Sequence, residues 1–509
     1  MSLFPMSRLL APAGLALTCL LLAPAGRSAD APMPAPAFGD AALPVDLSGE
    51  VNLQSCVGQA LGRNFTVRIQ QFSVLSSEDN VAIQQAAFEP TFGFTGGRQV
   101  TSTATNEQAL GQAAYSSFDS GTFSVNDTLI TGGTVSASYQ LLRSDYNPAY
   151  FTPNPAWAST ASISVAQPLL QGAGTDYNRA AIESAKLGVT ISNLNFKSTV
   201  LTIIFNVETT YYNLLYQREQ YKVQQDTLRQ AQQLLDENTQ KRQTGVLTDL
   251  DVMNARAGVA TAKNQLILDE QAVHNSEDQL LQLLGDREFK SVVGTVAFPS
   301  VGEPEVSFAR SYKLARENGP NLAVAQATID QFKLQALKAK RNTLPLLNVN
   351  GGLGYNSYAA TAGQSLTGAW NGYNWNAGVT VSVPWGMHAN RALYRQAEDA
   401  VRSQQVAYDQ ADQNLVVQVR AAVRAVDTSI ASVRSSAEET QFAEKAYELQ
   451  KAEFDAGLAT SYLVLQAQNT LETARVSELQ AKVSLLLAVA DLRFLEGSSL
   501  QLYRINLPE

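Results

Sequence analysis

The chain has 509 residues, of which 45% are hydrophobic and 16% charged, with a formal net charge of −9 and two histidines. That composition is one of a folded protein, and its acidic balance disfavours a nucleic-acid partner, which selects a basic face. Length alone allows roughly two to four ordinary domains.

Residues 1–29 read as a secretory signal. Arg8 gives the positive start, Leu9 to Ala23 the apolar core, and Ala25, Ser28 and Ala29 the small residues before a cut near Ala29. Cys19 lies inside that core behind Thr18, a poor setting for lipid attachment. The processed chain then keeps Cys56 alone, and no intramolecular disulfide can form. Residues 30–50 read as a linker. Beyond the signal no apolar run approaches the roughly 20 residues of a membrane helix; the best candidate, Leu485 to Ala490, is flanked by Lys482 and Asp491. Any membrane-embedded part must therefore be a β-barrel, the other structure that satisfies its backbone in lipid.

A first repeat spans 51–284. It opens with helices over 51–88 and continues into strands over 91–168, where Phe92 to Val100 and Ala161 to Val165 alternate with period two. Thr122 to Asp127 and Thr134 to Leu142, joined near Gly132 and Gly133, have no counterpart later in the chain. They read as an elaborated outward-facing hairpin, with a wider barrel as the alternative. A helical hairpin follows over 175–284: Ile191, Leu194, Leu201, Phe205, Tyr212 and Leu215 recur at three- and four-residue spacing in a proline-free run. At 1.5 Å per residue its first helix would run roughly 100 Å. Gly245 ends that helix and Thr248 caps the returning one.

Residues 285–305 read as an equatorial linker with Pro299 and Pro304. A second repeat spans 306–496, with helices over 306–343, strands over 346–384 and a helical hairpin over 388–496. Leu347 to Tyr355 and Tyr373 to Val383 alternate apolar and polar, the latter with Tyr, Trp, Ala and Val on one side and Asn, Gly, Thr and Ser on the other. Gly457 and Thr460 repeat the turn, and 497–509 form a short tail. The duplication is explicit in register: Val51–Pro90 aligns to Val306–Pro345 at an offset of 255, and Asn178-Arg179-Ala180, Gly245 and Thr248 meet Asn390-Arg391-Ala392, Gly457 and Thr460 at 212.

The expected fold is mainly α with a membrane β-barrel portion: four core strands and long antiparallel coiled helices per chain, in two internal repeats. Four strands cannot close a barrel, so several copies must pool their strands. Two copies would give about eight and three about twelve; pattern alone leaves both open. Nothing resembles a catalytic or cofactor site. His274, His388 and Cys56 form no metal-ligand spacing, no glycine-rich loop cradles phosphate, and no cofactor is expected. A secreted coiled-coil adhesin would account for the helices but not for proline-bounded strands in both halves.

Four motifs carry a family resemblance: Ser164-Val-Ala-Gln-Pro-Leu-Leu-Gln-Gly-Ala-Gly174, Val381-Ser-Val-Pro-Trp-Gly386, Thr244-Gly-Val-Leu-Thr-Asp-Leu-Asp-Val-Met-Asn-Ala-Arg256 and Ala456-Gly-Leu-Ala-Thr-Ser-Tyr-Leu-Val-Leu-Gln-Ala-Gln468. Over about residues 45–500 the chain resembles the TolC-like outer-membrane efflux family. The resemblance implies a homotrimeric α/β-barrel duct of the outer membrane, with a twelve-strand barrel in lipid and a twelve-helix periplasmic tunnel. Such a duct is a passive exit for drugs, other small molecules or secreted proteins, opened by a periplasmic adaptor and an inner-membrane transporter. It implies adaptor contact at Gly245, Val246, Leu247 and Thr248 and at Gly457, Leu458, Ala459 and Thr460. Family members with an ionic inner gate carry a base two positions after the second glycine and carboxylates six and nine after it. Here Ala459, Leu463 and Gln466 stand there, while Asp251 keeps an acidic place in the first half. Asp251, Leu463 and Gln466 are thus the aperture candidates, with Leu463 either an apolar ring that gates by dewetting or packing on a neighbour. Phe92, Tyr139, Trp157, Trp375 and Trp385 are candidate membrane-interface aromatics.

Overall fold

The computed structural model describes residues 52–102, 115–147, 153–286, 289, 293–294, 304–367 and 372–505. The expected signal and the linker after it lie outside these residues, as does most of the 285–305 linker.

Two short helices, α1 (Leu53–Arg63) and α2 (Phe65–Gln85), begin the described chain. Asn52 and Asn64 cap them, each side-chain oxygen accepting from the backbone N–H two residues on. Their later counterparts are α5 (Phe308–Asn318) and α6 (Pro320–Arg341), the second opened by a proline whose missing N–H costs nothing in a first turn. The hairpins are α3 (Thr175–Gln243) with α4 (Asp249–Leu283), and α8 (His388–Asp455) with α9 (Ser461–Glu496). No helix among the described residues is long and apolar enough to cross a membrane.

The helices pack by narrow apolar stripes. Val200, Ile204, Val207, Tyr211 and Leu214 recur at three- and four-residue spacing and are buried along α3. On the second hairpin Val419, Val423 and Val426 meet Leu485 and Leu492, with Ala315 of α5 closing the cluster. α10 (Ser499–Leu502) brings Tyr503 back to α3, where its hydroxyl donates to fully buried Glu208 at 2.6 Å. Burial pushes that carboxyl above its ordinary range, and its second oxygen has no hydrogen-bond partner.

One six-stranded antiparallel sheet completes the fold, in the order β1-β2-β3-β4-β5-β6. Its members are β1 (Thr91–Ser102), β2 (Tyr115–Thr128), β3 (Thr134–Asn147), β4 (Ala156–Pro168), β5 (Leu346–Ala359) and β6 (Gly372–Ser382). The expectation of four core strands is corrected to six. The segments with no second-half counterpart are β2 and β3; read from sequence as an outward-facing hairpin, they instead stand in the sheet between β1 and β4, paired along their whole length. Their turn is locked to the base of α3. Gly132 is in the left-handed region at φ +88°, where a side chain would collide with the Gly172 carbonyl; Gln167 Nε2 donates to Thr131 O at 3.2 Å. A short helix, α7 (Ala362–Thr367), follows β5, and the Ser159 hydroxyl donates to the Ser365 carbonyl at 2.6 Å.

Register gives the sheet two distinct faces over its middle rows. Phe92, Val125, Ala137, Ile163, Leu353 and Trp375 form one row across all six strands; the next row, on the opposite face, is Gly93, Ser124, Ser138, Ser162, Gly354 and Asn374. A side-chain period of two thus gives one apolar and one polar face. Away from α7, which packs at Ser159, the apolar face is uncovered, with Phe94, Tyr373 and Trp375 each at least 70% exposed.

Candidate functional site

Two places in the fold concentrate features that a simple helical protein would not need: the paired hairpin tips and the membrane-like sheet.

At the tips, Gly245 and Gly457 adopt φ of +79° and +74°, and a Cβ on either would meet no atom within 4 Å. Glycine is needed there for its backbone angle, not for room. Leu458 is 82% exposed and Val246 67%, so these two side chains project. Leu247 and Ala459 turn inward onto a small core of Leu234, Phe454 and Val464. Thr248 and Thr460 are the N-caps of the returning helices, but only Thr248 completes a capping box, with Asp251.

Asp251 organises more than its own helix. Its Oδ2 accepts from the Thr248 N–H at 3.0 Å and hydroxyl at 2.6 Å, while its Oδ1 accepts from Ser461 on the other tip at 3.1 Å. Leu463 occupies the matching position of the second repeat, so the second tip borrows the carboxylate its own sequence lacks. Lys241 adds a second tie: its Nζ donates to the Phe454 carbonyl at 3.1 Å, lies 3.7 Å from the Phe454 ring centroid and sits 3.7 Å from Asp455. The structure thus joins the two tips within one chain. Leu463 and Gln466 are exposed one turn apart on α9, beside a groove lined by Glu439, Tyr462 and Asn469.

The hydrogen bonds from Thr248 hold the Asp251 carboxyl below its ordinary 3.8. A depressed carboxyl contributes stability that is complete above 3.8 and is lost as pH falls through the lower folded value. Asp251→Ala is expected to cost the tip about 1 kcal/mol and to abolish this acid sensitivity. Amide hydrogen exchange over residues 248–252 should quicken in the variant at neutral pH, and the wild type should approach it only in acid.

Sequence reasoning missed Asp269 on α4. It is nearly fully buried, accepts from Gln220 at 3.2 Å and Gln265 at 3.0 Å, and leaves one oxygen unpartnered. Burial raises its pKa and that of Glu472 on α9, the latter also through Asp269 itself. An acidic residue falling on an otherwise apolar stripe was the one available signal.

In the sheet, four of the five singled-out aromatics, Phe92, Tyr139, Trp157 and Trp375, share the apolar face. Tyr139 lies mid-strand rather than at an end. Trp385 follows β6 and is fully exposed. Among the described residues, no group of His, Cys, Asp or Glu could hold a metal ion.

An antiparallel sheet with a bare apolar face, set on two helical hairpins of up to 69 residues per helix, defines a membrane channel with a helical extension. A family model described as outer membrane efflux protein matches residues 134–286 and 311–498, and the chain belongs to that family of outer-membrane conduits. The outer membrane protein TolC of Vibrio cholerae is 24% identical over 398 residues, covering 78% of this chain and 86% of that one. The pyoverdine export outer membrane protein OpmQ of Pseudomonas putida is 28% identical over 319 residues, 60% of this chain and 66% of its own length. Among solved structures, the Campylobacter jejuni CmeC outer membrane channel superposes with a TM-score of 0.68 at 16% identity, covering 93% of this chain and 95% of that one. CusC gives a TM-score of 0.68 at 13% identity over 89% and 93%.

Proposed function

We propose that three copies of this chain close into one ring, forming the exit duct through which a periplasmic adaptor and an inner-membrane transporter discharge cargo. The carrying observation is that the molecule is unfinished on the same two flanks throughout. β1 and β6 are the open edges of the sheet, and unpaired edges in lipid cost several kcal/mol for each bare backbone group. α2 leads directly into β1 and carries exposed Ile69, Phe72 and Ile83; α8 follows β6 and carries exposed Val406, Val417 and Phe442. A neighbour that completes the sheet therefore also covers both helical flanks. The apolar face of the sheet, with Phe92, Tyr139, Trp157 and Trp375, meets outer-membrane lipid, and Trp385 lies just beneath it.

In this duct the tips of the hairpins, Gly245 to Thr248 and Gly457 to Thr460, meet the adaptor, with Val246 and Leu458 as the contacting side chains. Asp251, Leu463 and Gln466 border the inner aperture, held by hydrogen bonds and packing rather than by a ring of ion pairs. Cargo passes unaltered, and drugs, other small molecules and secreted proteins are all candidates, chosen by the transporter. A photo-cross-linking residue at position 458 in native membranes tests the assignment. Adducts with a periplasmic adaptor are expected; adducts confined to other copies of the chain would refute the tip contact.

A further inference from the structure

The sheet is both wider and more uniform than its family resemblance implies. β2 and β3 are full members of it, with the same facing as their neighbours: Phe123, Val125, Ala137, Tyr139 and Leu141 continue the apolar face, and the alternate residues continue the polar one except for Phe118, Leu142 and Tyr146 near the loop-side end. All charged side chains of the six strands are Arg98, Asp119, Asp127, Arg143 and Asp145. Register puts every one of them on the apolar side. Four form a ladder near the loop-side ends of β1–β3: Arg98 to Asp119 at 3.4 Å, Asp119 to Arg143 at 3.0 Å and Arg143 to Asp145 at 3.3 Å. The opposite face has no charge at all. It is built of residues such as Thr95, Ser120, Thr122, Gln140, Ser162 and Asn376.

Along the middle of β5 and β6 that face is also smooth. Asn374 and Asn376 of β6 lie across to Gly354 and Gly352 of β5, filling the space a Cβ there would need. Their amides lie along the wall instead of projecting from it. α7 is no obstruction either, because Ser159, which it contacts, belongs to the apolar side.

We infer that the membrane section of this duct is a wide, charge-free exit: all six strands of each chain line it, and it passes bulky hydrogen-bonding cargo without sorting by charge. The inference rests on the three-copy ring proposed above. Three six-stranded sheets make an eighteen-stranded wall, and because barrel diameter grows roughly linearly with strand number, the exit is about half again as wide as a twelve-stranded one. This wall is mostly hydroxyls, amides and glycines, with Phe118, Leu142, Tyr146 and Tyr358 toward its loop-side end; it carries no charged side chain, so anionic and cationic solutes meet the same potential. Selection must then occur at the transporter or the inner aperture.

The test uses the full chain in outer-membrane vesicles, with copy number measured on the same sample by native mass spectrometry. Gln140→Cys places a thiol on the polar face of β3, and Tyr139→Cys places one on the apolar face. The parent chain, whose Cys56 is buried, sets the background. Cationic and anionic methanethiosulfonates, each normalised to glutathione, are expected to modify Gln140→Cys at rates within about twofold of each other. Tyr139→Cys should react at least about tenfold more slowly, being covered by lipid. An electron-microscopic map should count eighteen wall strands. Equal labelling of both variants, a strong preference for one sign at position 140, or a trimer with twelve wall strands would each overturn the inference, the last leaving the three-copy reading intact. A different copy number with all six strands of every chain in the wall would instead overturn the three-copy reading and support the six-strand lining.

Discussion

Phe72→Asp is expected to leave the chain folded but unable to close its ring. Phe72 is 65% exposed on α2 and makes no contribution to the buried core, so a monomer should tolerate the change. In the proposed ring the same side chain would be covered by the α8 flank of the next copy. Truncating an aromatic in a packed site costs about 3–5 kcal/mol, and a buried unpaired carboxylate adds several kcal/mol more. Every interface of the ring carries the change, so the losses multiply. Oligomers that survive detergent extraction should disappear from an unheated gel, and the sheet, left with open edges, should fail to reach the outer-membrane fraction. Val406→Asp on α8 should do the same from the opposite flank. Normal amounts of the heat-dissociable oligomer in both variants would mean that these flanks are not the contact.

Changes at the second hairpin tip should separate assembly from transport. Leu458→Asp alters a side chain that touches little within the chain, so rings should form and insert normally while export falls to the level of cells lacking the protein. Gly457→Pro acts through the backbone. Proline is held near φ −65° and cannot adopt +74°, and the change removes the N–H that Gly457 donates to the Phe454 carbonyl at 3.1 Å. The turn must rebuild, displacing Leu458 and weakening the Lys241 tie to Phe454. Gly457→Ala should be far milder, because open space surrounds the position and only left-handed strain of about 1 kcal/mol remains. Wild-type export from both Leu458→Asp and Gly457→Pro would remove the tips from the mechanism.

Much of this architecture was written in the sequence, for identifiable reasons. β5 and β6 keep strict alternation, so Leu353 and Trp375 declared their shared face before any pairing was known. The helix turns were legible because Gly245 and Gly457 stand 212 residues apart in otherwise periodic runs. β2 and β3 were harder to read. Ser116, Ser117, Ser120 and Gly121 blur the period, and Phe118 turns to the polar face, where it meets Tyr146 edge-on at 5.8 Å between ring centroids. With the strand ends obscured, the pattern favoured an outward hairpin over a wider sheet, and only register overturns that reading.

The tip contacts show a different limit. Asp251 was visible as an acidic position without a basic partner, and its partner proved to be a hydroxyl, Ser461, 210 residues away. Lys241 drew no attention, because a lysine in the last turn of a helix is ordinary and its tie to Phe454 spans 213 residues. Long-range hydrogen bonds of this kind have no local pattern. Asp269 sits between these cases: its type was odd for its stripe, but the amides of Gln220 and Gln265 that satisfy it could only be found in three dimensions.

Closure of the ring through its strand edges is the claim on which the rest depends, and cysteine cross-linking measures it directly. A thiol at Thr95 on β1 is paired in turn with thiols at Asn374, Asn376, Gly378 and Thr380 on β6, all on the polar face. One register is expected to give disulfide-linked dimers and trimers on a non-reducing gel, with no larger species because the third link closes the circle. Absence of intermolecular disulfides in every register, or a ladder continuing past three, would contradict the account.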